Sequence, residues 1–121
     1  MRLNHLNHLN LTVTDVPAAA EFLVRWFGLT DQGGNAGMTL LTDRPGFDGM
    51  ILTLMKARPD RFGGYPETFH IGFFIESRDE IDDLALRMRE AGFDTATPEN
   101  TGHSYGFYVQ APGGFTVEVG A

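Results

Sequence analysis

The chain has no cysteine, which excludes a disulfide framework, a zinc knuckle and a thiol nucleophile together. Basic residues are scarce: nine Lys and Arg face sixteen Asp and Glu, leaving a formal charge of −7. That balance argues against nucleic acid and anionic membrane surfaces as partners, because both select a basic stripe. Lys56 is the only lysine, and no Lys or Arg follows Arg89. No apolar run approaches the roughly 20 residues of a membrane span. The opening MRLNHLNHLN lacks the apolar stretch of a signal peptide, so a cytoplasmic location is expected. Low-complexity segments and interdomain linkers are also missing. A single domain is therefore expected over 1–121. A chain of this size buries about two-thirds of its unfolded surface and needs no staples.

What the sequence does contain is a repeat with a period near 62 residues. The first copy starts with His8-Leu9-Asn10-Leu11-Thr12-Val13, whose strict alternation reads as a half-buried strand. Asp15 caps a helix with Pro17 in its first turn, and Gly28 supplies the left-handed stop. Phe22, Leu23, Trp26 and Phe27 form the apolar stripe of that helix. Short strands follow around Met38–Thr42 and Met50–Met55, separated by turn residues Asp43–Gly49.

The second copy starts at His70-Ile71-Gly72-Phe73-Phe74-Ile75, again a strand. Ser77-Arg78-Asp79-Glu80 has the form of a capping box, Ile81, Leu84, Ala85 and Met88 form the stripe, and Gly92 ends the helix. Strands are expected near Ser104–Gln110 and Phe115–Val119, joined by Ala111-Pro112-Gly113-Gly114. Each histidine precedes its helix cap by seven residues, His8 to Asp15 and His70 to Ser77. The fold class is α+β, two βαβββ modules covering about 1–56 and 69–121, with a Gly- and Pro-containing connection over 57–68.

Strand parity then selects candidate chemistry. Leu9, Leu11 and Val13 face the first helix, so His8, Asn10 and Thr12 face away. Ile71, Phe73 and Ile75 face the second helix, so His70, Gly72 and Phe74 oppose them. On the last strand Phe115, Val117 and Val119 are core, and Thr116 and Glu118 point outward. Two imidazoles and one carboxylate form a facial triad that leaves coordination positions for substrate. His8, His70 and Glu118 are thus the expected metal ligands. His5 competes with His8 in the tandem Leu3-Asn4-His5, Leu6-Asn7-His8, but it has the opposite parity and breaks the spacing to the cap.

These residues reach a known family. Asn7 to Asp15 (N-H-L-x-L-x-V-x-D), His70 to Phe73 (H-I-G-F) and Pro112 to Glu118 (P-G-G-F-T-V-E) resemble the vicinal oxygen chelate superfamily. That superfamily includes glyoxalase I, fosfomycin-resistance proteins, extradiol dioxygenases and bleomycin-resistance proteins. The resemblance spans nearly the whole chain. It implies curved mixed sheets that form a cup, and paired modules across a homodimer. It also implies one divalent ion per site (Fe, Mn, Ni, Zn or Co) held by His8, His70 and Glu118.

Departures narrow the activity. The position of a fourth, carboxylate ligand in glyoxalase I falls on Leu52, Met50 or Thr53, and Asp48 is too early. The late-loop lysine of fosfomycin-type enzymes falls on Pro98, and their serines on Gly102 and Gly106. Many extradiol dioxygenases carry a tyrosine ten residues before the glutamate, which is Tyr108 here. The expected function is a metal-dependent lyase, isomerase or dioxygenase acting on a small, mainly uncharged or aromatic molecule. Glu118 and Tyr108 would carry catalysis, and Asn10, Leu52, Phe74, Tyr105 and Tyr108 would line the substrate site. The rival is a bleomycin-resistance-like protein that only binds its small molecule.

Overall fold

The computed structural model describes residues 1, 5–44 and 49–121. Leu3, Asn4 and Asp48, together with 45–48 of the turn expected over 43–49, lie outside the described residues. Two compact units divide the chain, Met1–Gly63 and Gly64–Ala121.

The first unit runs β1 (His8–Val13), α1 (Val16–Phe27), β2 (Thr30–Gly34), β3 (Met38–Thr42) and β4 (Ile51–Lys56). Its sheet order is β1-β4-β3-β2, with β1 and β4 parallel and the other pairs antiparallel. Parallel pairing demands a crossover, and α1 begins it. The helix starts where expected: the Asp15 carboxylate accepts the Ala18 N–H at 3.1 Å. It stops at Gly28, whose φ of 71° is the left-handed region that other residues avoid. Leu11, Val13, Leu23, Leu41 and Leu54 are completely buried between sheet and helix. Each such side chain contributes about 1.5–3 kcal/mol of transfer free energy.

The second unit repeats the plan with β5 (Ile71–Phe74), α2 (Arg78–Glu90), β6 (Glu99–Asn100), β7 (Tyr105–Ala111) and β8 (Phe115–Gly120). Its order is β5-β8-β7-β6, again with one parallel pair, β5 with β8. The Ser77 hydroxyl accepts the Glu80 N–H at 3.3 Å, as the capping box predicts. Ile81 and Met88 of α2 and Val109, Val117 and Val119 of the sheet are fully buried.

Two strands that the βαβββ plan calls for have no position assigned from the sequence. β2 is a run of Thr, Asp, Gln and two Gly that is exposed throughout, and β6 has only two residues. Neither has apolar alternation to announce it. Each sheet keeps one face on its helix and leaves the other open, and the open faces carry the candidate chemistry.

Candidate metal centre

On β1 the buried positions are Leu11 and Val13, so His8, Asn10 and Thr12 lie on the open face. His8 is exposed, and its Nδ1 lies 2.7 Å from Asn7 Oδ1. With Nδ1–H given to that amide oxygen, Nε2 keeps the lone pair a metal requires.

His70 is built the same way by different means. It sits one residue before β5, where Phe69 N–H donates to the Pro66 carbonyl at 3.0 Å and the Tyr65 and Phe69 rings stack at 4.2 Å. This turn presents the Thr68 carbonyl to His70 Nδ1 at 3.0 Å. Nε2 then faces Glu118 Oε2 at 3.1 Å. A neutral imidazole with its proton on Nδ1 offers a lone pair there, and so does the carboxylate. Two acceptors at that separation need a proton or a cation between them. The donor set suits a divalent ion: nitrogen and oxygen, half exposed, with a fixed tautomer.

Tyr108 completes the group in the second unit. It is paired directly with Glu118 across β7 and β8, and its ring meets His70 edge-on at 5.4 Å. Burial holds its phenol above the usual tyrosine range, helped by the charge of Glu118 and hydrogen bonding to it. The phenol therefore keeps its proton at neutral pH and acts as a donor.

His70, Glu118 and Tyr108 form one cluster, while His8 and Asn10 belong to the other unit. Among the described residues, neither unit by itself brings three His, Asp or Glu side chains into one metal-binding group. Phe74 joins the open face of the second unit, 81% exposed.

Two expected site residues face elsewhere. Leu52 pairs with Leu9 in the parallel ladder, so it shares the helix face and is 7% exposed; the open-face neighbours on β4 are Ile51 and Thr53. Tyr105 has the parity of buried Phe107 and turns toward α2, where its hydroxyl donates to Asp82 Oδ1 at 2.6 Å and its ring lies beneath Arg78. It ties sheet to helix rather than lining the open face. The Asp82 hydrogen bond raises its phenol pKa, opposed by Arg78. A phenol raised in the folded state stabilises below its unfolded pKa, and that contribution fades as pH rises through the folded value. Tyr105→Phe is therefore expected to lower the melting temperature at pH 7 without changing metal uptake. The gap to the parent should close above about pH 10; a gap constant to pH 12 would remove the tie.

Ladder register also identifies the first-unit residue that mirrors Glu118. His70 precedes the Gly72–Glu118 pair by two residues, and His8 precedes the Asn10–Thr53 pair by two. Thr53 is thus the counterpart of Glu118, and it is no carboxylate. His5, the competing histidine, lies before β1 and lines a shallow hollow with Asp43, Arg44 and Met50.

The two-module plan, the open faces and these side chains define a class, and the sequence comparison agrees with it. The chain belongs to the Glyoxalase/Bleomycin resistance protein/Dioxygenase superfamily, whose family model matches residues 5–119. It is similar to a possible glyoxalase from Bacillus cereus, with 46% identity, TM-score 0.85, and 97% of this chain and 98% of that one covered. An uncharacterized protein of Pseudomonas aeruginosa is 30% identical, covering 93% of this chain and 85% of the relative. The fosfomycin resistance protein FosX from Listeria monocytogenes shares the fold at 20% identity and TM-score 0.78, covering 99% and 94%.

Proposed function

We propose that this chain is a metal-dependent enzyme that binds a small molecule through two neighbouring oxygens and promotes a lyase, isomerase or dioxygenase step. The ligands are His70 and Glu118 of one subunit and His8 of its twofold partner in a homodimer. The observation that carries the reading is the His70 Nε2–Glu118 Oε2 approach of 3.1 Å, with Nδ1 already committed to the Thr68 carbonyl. A divalent ion held by these residues would supply Lewis acidity toward the two substrate oxygens. Around it, Glu118 keeps a carboxylate available for coordination or proton exchange. Tyr108 holds a phenolic proton beside it, and the Asn10 amide offers both a donor and an acceptor.

Elemental analysis of the purified protein tests the metal, with about one ion per chain expected. A chelator should remove it, and added Zn²⁺, Mn²⁺ or Ni²⁺ should restore it. Mixing His8→Ala with Glu118→Ala chains tests the sharing: a verified heterodimer should regain one of its two sites. A metal-free protein with tight small-molecule binding would make it a binder. A monomer in sedimentation, or a heterodimer that regains nothing, would remove the shared site.

A further inference from the structure

The second unit has three exposed large hydrophobic side chains, Phe74, Leu86 and Tyr108. Leu86 lies on α2, whereas the two aromatic ones share the open sheet face. Tyr108 stands directly across from Glu118. Phe74 stands across from Gly120, which in turn pairs with Gly106. The open face therefore has a polar row, Gly72-Glu118-Tyr108, next to a row with Phe74 at one side and two glycines beyond it.

Gly120 decides where Phe74 lies. A Cβ at that position would meet Phe74 Cε1 at 3.0 Å and Cδ1 at 3.3 Å, with Ser104 Oγ at 3.2 Å. The ring thus rests in space that any other residue would fill, and Gly120 itself is buried beneath it. At Gly106 a Cβ would run into the Val119 carbonyl oxygen, so the neighbouring position is also confined to glycine. Exposed apolar residues are ordinary in isolation. An aromatic ring seated over a glycine and 81% exposed, one row from Glu118 and two from His70, is a formed surface.

Glu118 and Gly120 are two residues apart on one strand, so the rows lie about 7 Å apart. That is the reach of one ring attached to a chelating group. Charge points the same way. No Lys or Arg occurs after Arg89, and Glu99 pairs with Gly106 at the end of the row. The four strands of this sheet carry no Lys or Arg that would pair with an anionic tail.

We propose that Phe74, seated over Gly120, is a platform for a planar, uncharged ring of the substrate whose oxygens face His70 and Glu118. This rests on the metal-centre reading above and gives the ring of an uncharged, aromatic guest its seat on the protein. Gly120 is a positioning residue, acting through Phe74.

Two hydroxamates with identical chelating oxygens separate the effects. Acetohydroxamate reports chelation alone, and benzohydroxamate adds a ring. Calorimetric titration of the Zn²⁺-loaded protein should show benzohydroxamate binding about five- to tenfold tighter. Phe74→Ala should reduce the preference to less than about twofold, with acetohydroxamate affinity unchanged, and Phe74→Tyr should retain it. Gly120→Ala should lose the preference too, because its methyl displaces the ring. Should that variant fail to fold, Phe74→Ala and Phe74→Tyr still decide the matter, since an exposed side chain supports no core. Equal affinities in the parent protein, or a preference that survives Phe74→Ala, would overturn the platform alone. Loss of self-association in Phe74→Ala with an unchanged preference would assign the ring to an interface instead. Failure of both hydroxamates to bind would overturn the metal reading, and the platform with it.

Discussion

On the metal-dependent reading proposed above, replacing Glu118 with Ala, or His70 with Ala, is expected to abolish metal uptake while leaving the protein folded. Loss of an outer partner of a metal ligand typically costs 10–100-fold in affinity, so loss of a ligand itself should exceed about 100-fold. The two side chains are 29% and 37% exposed, and partly solvated ion pairs contribute only about 0–1 kcal/mol. Metal retention and fold stability should therefore separate. Competition with a fluorescent chelator gives the affinity, and urea unfolding of the metal-free proteins gives the stability. If either variant keeps its metal within threefold of the parent, the pair is only a surface ion pair. Large destabilisation without metal would make it a structural element instead.

The second large effect belongs to the core. Leu54 is fully buried, paired with Leu11 on β1 and with Thr39 on β3. Leu54→Ala should cost about 2–5 kcal/mol, from lost transfer energy and the cavity left behind. Against a total stability of about 5–15 kcal/mol, the first unit would stand near its limit. Thr53→Ala, one residue away on the open face, should change stability by less than about 0.5 kcal/mol. Urea midpoints of both variants check the contrast. Equal effects would mean that β4 is turned the other way.

Much of this plan was legible in the sequence because caps and alternation are local. Asp15 and Ser77 cap the helices they were expected to cap, and equal distances from them aligned the two modules. Leu9, Leu11 and Val13 needed only parity to be placed toward the helix. Leu52 needed more: its face depends on which β1 residue it pairs with, and register is a long-range property. Tyr105 falls within the strand expected near Ser104–Gln110, and as the first residue of β7 it shares the parity of buried Phe107 rather than that of the open face. Its hydroxyl then finds Asp82, 23 residues earlier in the chain, which no local pattern encodes. The glycine seat of Phe74 was hidden for the same reason, since Gly120 opposes it only through the parallel pairing of β5 and β8. The signal available was the glycine that follows the alternating run Phe115–Val119.

Thr53 in the place that mirrors Glu118 has a consequence for electroneutrality. Two neutral imidazoles and one carboxylate balance only one charge of a divalent ion. In the ligand set proposed here, one positive charge is left for the bound molecule to cancel. A second carboxylate at position 53 would have cancelled it within the protein. The threonine instead makes charge neutrality conditional on the guest. Such a centre favours molecules that give up one proton on arrival, such as enols, phenols and hydroxamic acids, over those that stay neutral at their oxygens.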